Sequence, residues 1–221
     1  MFLETGAVLA LAAQCAPAVA PHTVAAIVDA ESSNYVFAIN VNGVATQPRR
    51  PRNEAEAIAT ARAYVARGYS VDLGLGQINS RNMGWLGLTW GTVFNQCTNI
   101  EAAGRVLLSN YRSAKAGRVP QEALRVALSM YNTGSQTRGF RNGYVARVEN
   151  AGRRISGRPA TVIPTYAVVD QTPSVPQGNA RSDRARVELA EIAAENMETA
   201  SPPAPPAWDV FGRAQHARAG S

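Results

Sequence analysis

A carboxylate on an apolar helix stripe is the first residue in this chain whose setting could do chemistry. Val24, Ile27, Val28 and Glu31 follow at i, i+3, i+4 and i+7, so a helix that buries the first three carries Glu31 on the same face. Desolvation disfavours a charged carboxylate and raises its pKa, which suits the group to donate a proton near neutral pH. The same spacing would fit a glutamate that ends the helix and turns outward, or one paired with an arginine. Ser32 is placed either to orient that carboxylate or to satisfy the backbone of the helix end.

Two further clusters could hold a substrate. Asp72-Leu73-Gly74-Leu75-Gly76-Gln77-Ile78-Asn79 joins glycines, which let a backbone approach a ligand closely, to the Gln77 and Asn79 amides, whose paired donors and acceptors read hydroxyl and acetamido groups. It is not a G-x-G-x-x-G run inside a strand-to-helix unit, which argues against a nucleotide. Asp72 reads as a solvated turn residue. In Ala127–Gly134, Tyr131 falls on the apolar face near a helix end, where a tyrosine is normally core, with Asn132 beside it and Gly134 as the stop signal.

The elements that must position these groups are mostly helices. Pro21 opens the Glu31 helix. Asn53-Glu54-Ala55-Glu56 reads as a capping box for a helix through about Ala66, closed by Gly68, and Thr98-Asn99-Ile100-Glu101 as a second box starting a helix to about Lys115. Pro120 starts another helix, and Tyr144–Glu149 forms the last of the body. Phe37–Val41, Asn42-Gly43 and Val44-Ala45-Thr46 give a short hairpin signal. The expectation is an α+β domain, mostly helical, with one small β-hairpin.

The clusters, in this order and spacing, say more than any one of them. Glu31-Ser32, then Gly74–Asn79, then Ala127 with Tyr131-Asn132-Thr133-Gly134, then Tyr144-Val145 resemble the four motifs of the soluble-lytic-transglycosylase family, whose fold is lysozyme-like. The resemblance spans about residues 10–150. Gln14-Cys15-Ala16-Pro17, Ala38–Gly43, Leu86-Gly87-Leu88-Thr89 and Cys97-Thr98-Asn99-Ile100 are similar to the branch that accompanies type IV secretion and conjugal transfer machines. It implies cleavage of the MurNAc–GlcNAc β-1,4 bond of peptidoglycan without water and without a cofactor, leaving a 1,6-anhydromuramoyl end. Glu31 would be the catalytic acid and then base. Ser32 and Tyr144 would hold it, and Gln77, Asn79, Tyr131 and Asn132 would contact or support the saccharide. Hydrolytic muramidase action, kept open by Asp72, and a weakly catalytic wall-binding assembly factor are the alternatives. Where the family continues Glu-Ser with glycine, an aromatic residue, asparagine and proline, this chain has Ser33-Asn34-Tyr35-Val36, and a reshaped turn is expected there.

Composition narrows the setting. Net charge is +8 over residues 1–158 and −2 over 159–221, and eight of the thirteen prolines fall in the second part. A basic lysozyme-like body (1–158) is therefore expected to carry a flexible Pro-rich tail (159–221), with Ser182 capping a short helix over 183–197. The basic runs Arg49-Arg50-Pro51-Arg52 and Arg153-Arg154 are short and lack interleaved aromatics, so a solvated basic face or an anionic wall polymer is a better partner than nucleic acid. Gly6–Ala20 is too short to span a bilayer, a length of roughly 20 apolar residues, and reads as a core helix rather than a signal. His22 and His216, the only histidines, and two cysteines far apart cannot cluster as a metal site. Those cysteines fit a disulfide or two buried thiols equally. The resemblance favours a Cys15–Cys97 bridge and with it a periplasmic location, with secretion-channel subunits as partners of the tail.

Overall fold

The computed structural model describes residues 1–157; the expected tail at 159–221 and its helix at 183–197 lie outside the described residues. The proline at the first position of α2 (Pro21–Ser32) gives up an N–H that a first turn could not use, and the helix then buries Thr23 through Val28 without a break. Before it, α1 (Thr5–Cys15) buries Val8, Ala12 and Cys15 and packs on α2, so the core helix expected over Gly6–Ala20 forms but stops at Cys15. α3 (Glu54–Ala66) starts at Asn53, whose side chain accepts a hydrogen bond from Glu56 N at 2.9 Å. α4 (Met83–Leu86) is a single turn.

Two further helix boundaries differ from the sequence expectation. α5 (Gln96–Ala114) begins before Thr98, because Asn95 is the cap and its side chain accepts from Thr98 N at 3.1 Å. After α6 (Pro120–Thr133) and the short α7 (Arg138–Arg141), α8 (Tyr144–Ser156) runs well past Glu149. Its buried stripe continues from Tyr144, Val145 and Val148 to Ala151 and Gly152, and the left-handed Gly157 stops it.

The expected hairpin is corrected. β1 (Ile39–Val41) pairs antiparallel with β2 (Val71–Leu73), not with Val44–Thr46, and β2 pairs with β3 (Ile78–Asn79). Asn42-Gly43 does turn, with Gly43 at φ 82°. The chain then returns only as a side chain: Gln47 Oε1 accepts from Val41 N at 2.7 Å and its Nε2 donates to Val41 O at 2.8 Å. One amide thus satisfies the free edge of β1, where a strand as short as 44–46 would bury little.

Two large apolar cores result, with a small third cluster of Ala114, Ala123 and Val126 between α5 and α6. The first gathers α1, α2, α5, α6 and α8 around Ile27, Val28, Leu107, Leu128 and Tyr144. The second joins the sheet to α3 and one side of α5 through Val71, Leu73, Ile78, Ala61 and Phe94. Phe37 and Tyr131 pack against both. The Cys15–Cys97 disulfide is formed, with Cα atoms 5.4 Å apart, and ties the end of α1 to the first turn of α5. Among the described residues no helix is long and apolar enough to cross a membrane.

Candidate active site

Glu31 is the next-to-last residue of α2, so the stripe that buries Val24, Ile27 and Val28 delivers it to the edge of the first core. There it lines a cavity of about 240 Å³ with Asp72, Gln77, Asn79, Tyr131 and Asn132. α8 packs on α2 and places the fully buried Tyr144 so that its hydroxyl donates to Glu31 Oε1 at 2.6 Å. Arg154 at the far end of α8 donates to Asp29 Oδ2 at 2.6 Å, an exposed clamp between the same two helices.

Burial pushes the Glu31 carboxyl up to about 7 from its ordinary 4.5. The Tyr144 hydrogen bond works against that rise, the Asp72 charge adds to it, and Arg147 opposes it. The Arg147 guanidinium stands 5.5 Å from the centre of the Tyr144 ring. Burial and the neighbouring Glu31 raise both the Tyr131 and Tyr144 hydroxyls well above the ordinary tyrosine value, so both keep their protons as donors. Glu31 can therefore hold a proton near neutrality and release it.

The opposite side is built by sheet register. Asn40, Asp72 and Asn79 sit side by side across β1, β2 and β3, on the face away from buried Val71, Leu73 and Ile78. Asp72 accepts from Asn79 Nδ2 at 2.6 Å, Asn42 Nδ2 at 3.0 Å and Asn40 Nδ2 at 3.2 Å. It is a partly buried strand residue, not the solvated turn residue expected from sequence. Its carboxylate holds three amides in place at the mouth of the Glu31 cavity.

The Gly74–Gln77 turn is held from behind by Asn99, which is 1% exposed. Its Oδ1 accepts from Gly76 N at 2.8 Å, while its Nδ2 donates to Leu73 O at 3.0 Å and Val93 O at 2.7 Å. A Cβ on Gly74, where φ is 74°, would collide with the Asn99 amide, and one on Gly76 would lie 2.7 Å from Ala103 Cβ. The glycines thus admit the protein's own α5, where the sequence suggested a ligand. Tyr131 adds a 2.7 Å hydrogen bond to Gly76 O, so it is both core and brace.

The structure brings Glu31, Gln77, Asn79, Tyr131 and Asn132 to one cavity, with Tyr144 beneath Glu31. Ser32 is not joined to the glutamate: its hydroxyl donates to Val28 O at 3.0 Å, within its own helix. Gln77 commits its Nε2 to Gly74 O at 2.9 Å and Ala38 O at 3.3 Å. Asn42, Ser70 and Asn82 also line the cavity and escape the sequence reading, since they lie in a turn, just before a strand and in a one-turn 3-10 helix, with no periodic neighbours. Neither the capping-box pattern nor the Cys97–Ile100 segment marks Asn99 as a brace of this turn. Its sole sequence signal was an amide among the apolar positions of an amphipathic helix.

Comparison with known proteins agrees with this geometry. The family model described as Transglycosylase SLT domain matches residues 9–151, from the middle of α1 into α8. Protein virB1 of Agrobacterium fabrum is 40% identical over 144 residues, covering 65% of this chain and 58% of that protein. Type IV secretion system protein virB1 of Brucella abortus biovar 1 is 39% identical over 163 residues, covering 71% of this chain and 68% of that protein. For protein virB1 of Rhizobium radiobacter the identity is 39% over 154 residues, with 70% and 63% covered. The match thus spans about three fifths to two thirds of these relatives' length. No solved structure matches the chain significantly. With the match enclosing every residue that lines the Glu31 cavity, the chain belongs to the Transglycosylase SLT domain family.

Proposed function

We propose that this protein is a peptidoglycan lytic transglycosylase, and that its residues 1–158 are the catalytic domain. The observation that carries the reading is Glu31: a desolvated carboxyl near pKa 7, held by Tyr144, in a cavity whose other side is lined with amides. Protonated Glu31 gives its proton to the glycosidic oxygen as the bond from the muramoyl C1 breaks, and the substrate's acetamido oxygen supports the anomeric carbon. The resulting carboxylate then takes the proton of the muramoyl C6 hydroxyl, whose oxygen bonds to C1 and closes the 1,6-anhydro ring. Glu31 ends protonated, as it began, and no water is consumed. Gln77, Asn79, Tyr131 and Asn132 contact or support the saccharide, and Ser32 acts on Glu31 only through the helix end.

Hydrolysis is a second reading because Asp72 shares the cavity and could activate water, the two-carboxylate arrangement of many glycosidases. Against it, the carboxylate already accepts from three amides. Place and partners follow from likeness. The Brucella relative is named a type IV secretion system protein, which supports a role in opening the wall for such a machine, and the Cys15–Cys97 bridge supports an extracytoplasmic location. The tail at 159–221 would be the contact to channel subunits.

Mass spectrometry of digested sacculi tests the reading. The expected products are 1,6-anhydromuropeptides, with activity falling as pH rises past about 7 and Glu31 loses its proton. Glu31→Gln removes the acid and should cost about 10²–10⁴ in rate with the fold intact. Products with free reducing ends would establish a hydrolase, with Asp72→Asn its decisive variant. Sacculus binding without either product would make the chain an assembly factor.

A further inference from the structure

Beside the Glu31 cavity lies a wider, open groove of about 560 Å³ between the end of α6 and α7, lined by Asn132, Thr133, Arg138, Arg141 and Asn142. Asn132 lines both spaces, so the two are continuous along one surface. No carboxylate lines the groove, and among the described residues neither arginine is in an ion pair. Arg138 is set in position, since its Nη2 donates to Thr133 O at 2.6 Å. Arg141 follows one turn later on α7 and faces the same groove. Each guanidinium is a planar fork for a carboxylate, and the groove holds two of them with amides around them.

We propose that this groove takes a carboxylate of the peptide stem borne by the glycan, while the saccharide occupies the Glu31 cavity; the identity of the substrate rests on the proposed function above. The groove is also wired to the chemistry. Asn142 Nδ2 donates to Asn132 Oδ1 at 2.9 Å, and Asn142 Oδ1 accepts from Tyr144 N at 3.0 Å, which sets the first turn of α8 from which Tyr144 reaches Glu31. An anion seated on Arg138 and Arg141 therefore presses on the segment that aims the catalytic acid. Peptide-bearing strands gain both binding and alignment over bare glycan.

The test uses the full chain and two probes: glycan strands with intact stem peptides, and the same strands stripped of them by an amidase. Affinity is measured with the Glu31→Gln protein, and product release with the active one. Wild-type groove residues should give tighter binding to intact strands, weakened by salt. Arg141→Gln should lower the intact-to-stripped affinity ratio about fivefold, and Arg138→Gln with Arg141→Gln about tenfold or more, as loss of a charge-assisted fork predicts. Arg141→Lys should restore part of it, because a lysine keeps the charge and loses the fork. A general structural loss would lower both affinities alike and leave the ratio unchanged, and that result overturns the proposal. If neither strand yields 1,6-anhydro products but the ratio still depends on the arginines, the groove stands and the lytic reading falls. If products form and the ratio ignores the arginines, the groove falls alone.

Discussion

Glu31 and Tyr144 stand on helices packed through valine, alanine and leucine, whereas Asp72 and Asn79, which share the Glu31 cavity, stand on strands of three and two residues, with Gln77 on the turn between them, all braced by side-chain amides. The division suits the proposed chemistry. A proton donor must be desolvated, so its wall is apolar, close-packed and tied by the disulfide between α1 and α5. A wall that reads hydroxyl and acetamido groups must keep amides in contact with solvent, so apolar packing on that face is not available and hydrogen bonds supply the rigidity. The first wall is held by buried area; the second has an apolar core behind the sheet, but its cavity face is held by a few polar atoms that cannot be spared.

The largest effect should come from opening the helical side. Replacing Cys15 and Cys97 by serine removes a link across 82 positions, and the loop-entropy model puts the loss at about 4–5 kcal/mol. Chemical denaturation measures it. Protein that remains folded should keep its product pattern, because the bridge joins α1 to α5 and touches no group of the cavity. The sheet wall should break differently. Asn99→Leu strands Gly76 N, Leu73 O and Val93 O without partners, a loss of about 3 kcal/mol at roughly a kcal/mol per bond. The Gly74–Gln77 turn would then loosen, so KM for glycan should rise more than kcat falls. A variant that lost stability with KM unchanged would show that the turn does not depend on Asn99.

Next is the joint between donor and helix. Tyr144→Phe removes the hydrogen bond that holds the Glu31 pKa down, so the carboxyl should rise above about 7 and the alkaline limb of the rate profile should move to higher pH. The loss in kcat should be about tenfold, the usual worth of one charge-assisted bond. The stability trace carries the opposite slope from an ordinary ion-paired acid. Native Glu31 holds its proton between the unfolded value of 4.5 and about 7, the unfolded chain does not, and stability therefore falls as pH rises through that window. Tyr144→Phe should extend the fall upward, and Glu31→Gln should abolish its share.

The same contrast decides what was legible in the sequence. The Glu31 helix, the α6 stripe with Tyr131 and the α8 start at Tyr144 followed from periodicity and from proline and glycine signals, because each helix carries its own apolar face in consecutive turns. Their union into one site, and the Cys15–Cys97 bridge, came from the resemblance of the ordered motifs. The sheet was not legible: β1 meets β2 across thirty-odd positions, its strands are too short to show alternation, and the nearest extended run, Val44–Thr46, was taken as the partner. Asp72 and Asn99 were misread for one reason, that the worth of a polar side chain lies in partners distant in the chain. Ser32 went the other way. Its neighbour in sequence is Glu31, yet its hydroxyl is used by Val28 O.

The smallest effect bears on the turn where this chain departs from its family. Ser33, at the position where the family motif has glycine, and Asn34 both adopt left-handed conformations, with φ of 51° and 63°. Asparagine tolerates that region, whereas serine pays about 1–2 kcal/mol for it. Ser33→Gly relieves this strain but gives freedom back to the unfolded chain, for a net gain of about 0.5 kcal/mol and a rise of roughly 1–2 °C in Tm. Gln77, on the sheet wall, has the same strain at φ 49°. Gln77→Gly should nevertheless destabilise, since its Nε2 bonds to Gly74 O and Ala38 O are lost with the side chain. Opposite signs for one substitution type at two strained positions would show that the helix end bears strain its side chain does not repay, while the amide wall repays its own. Equal signs would remove the distinction between the walls.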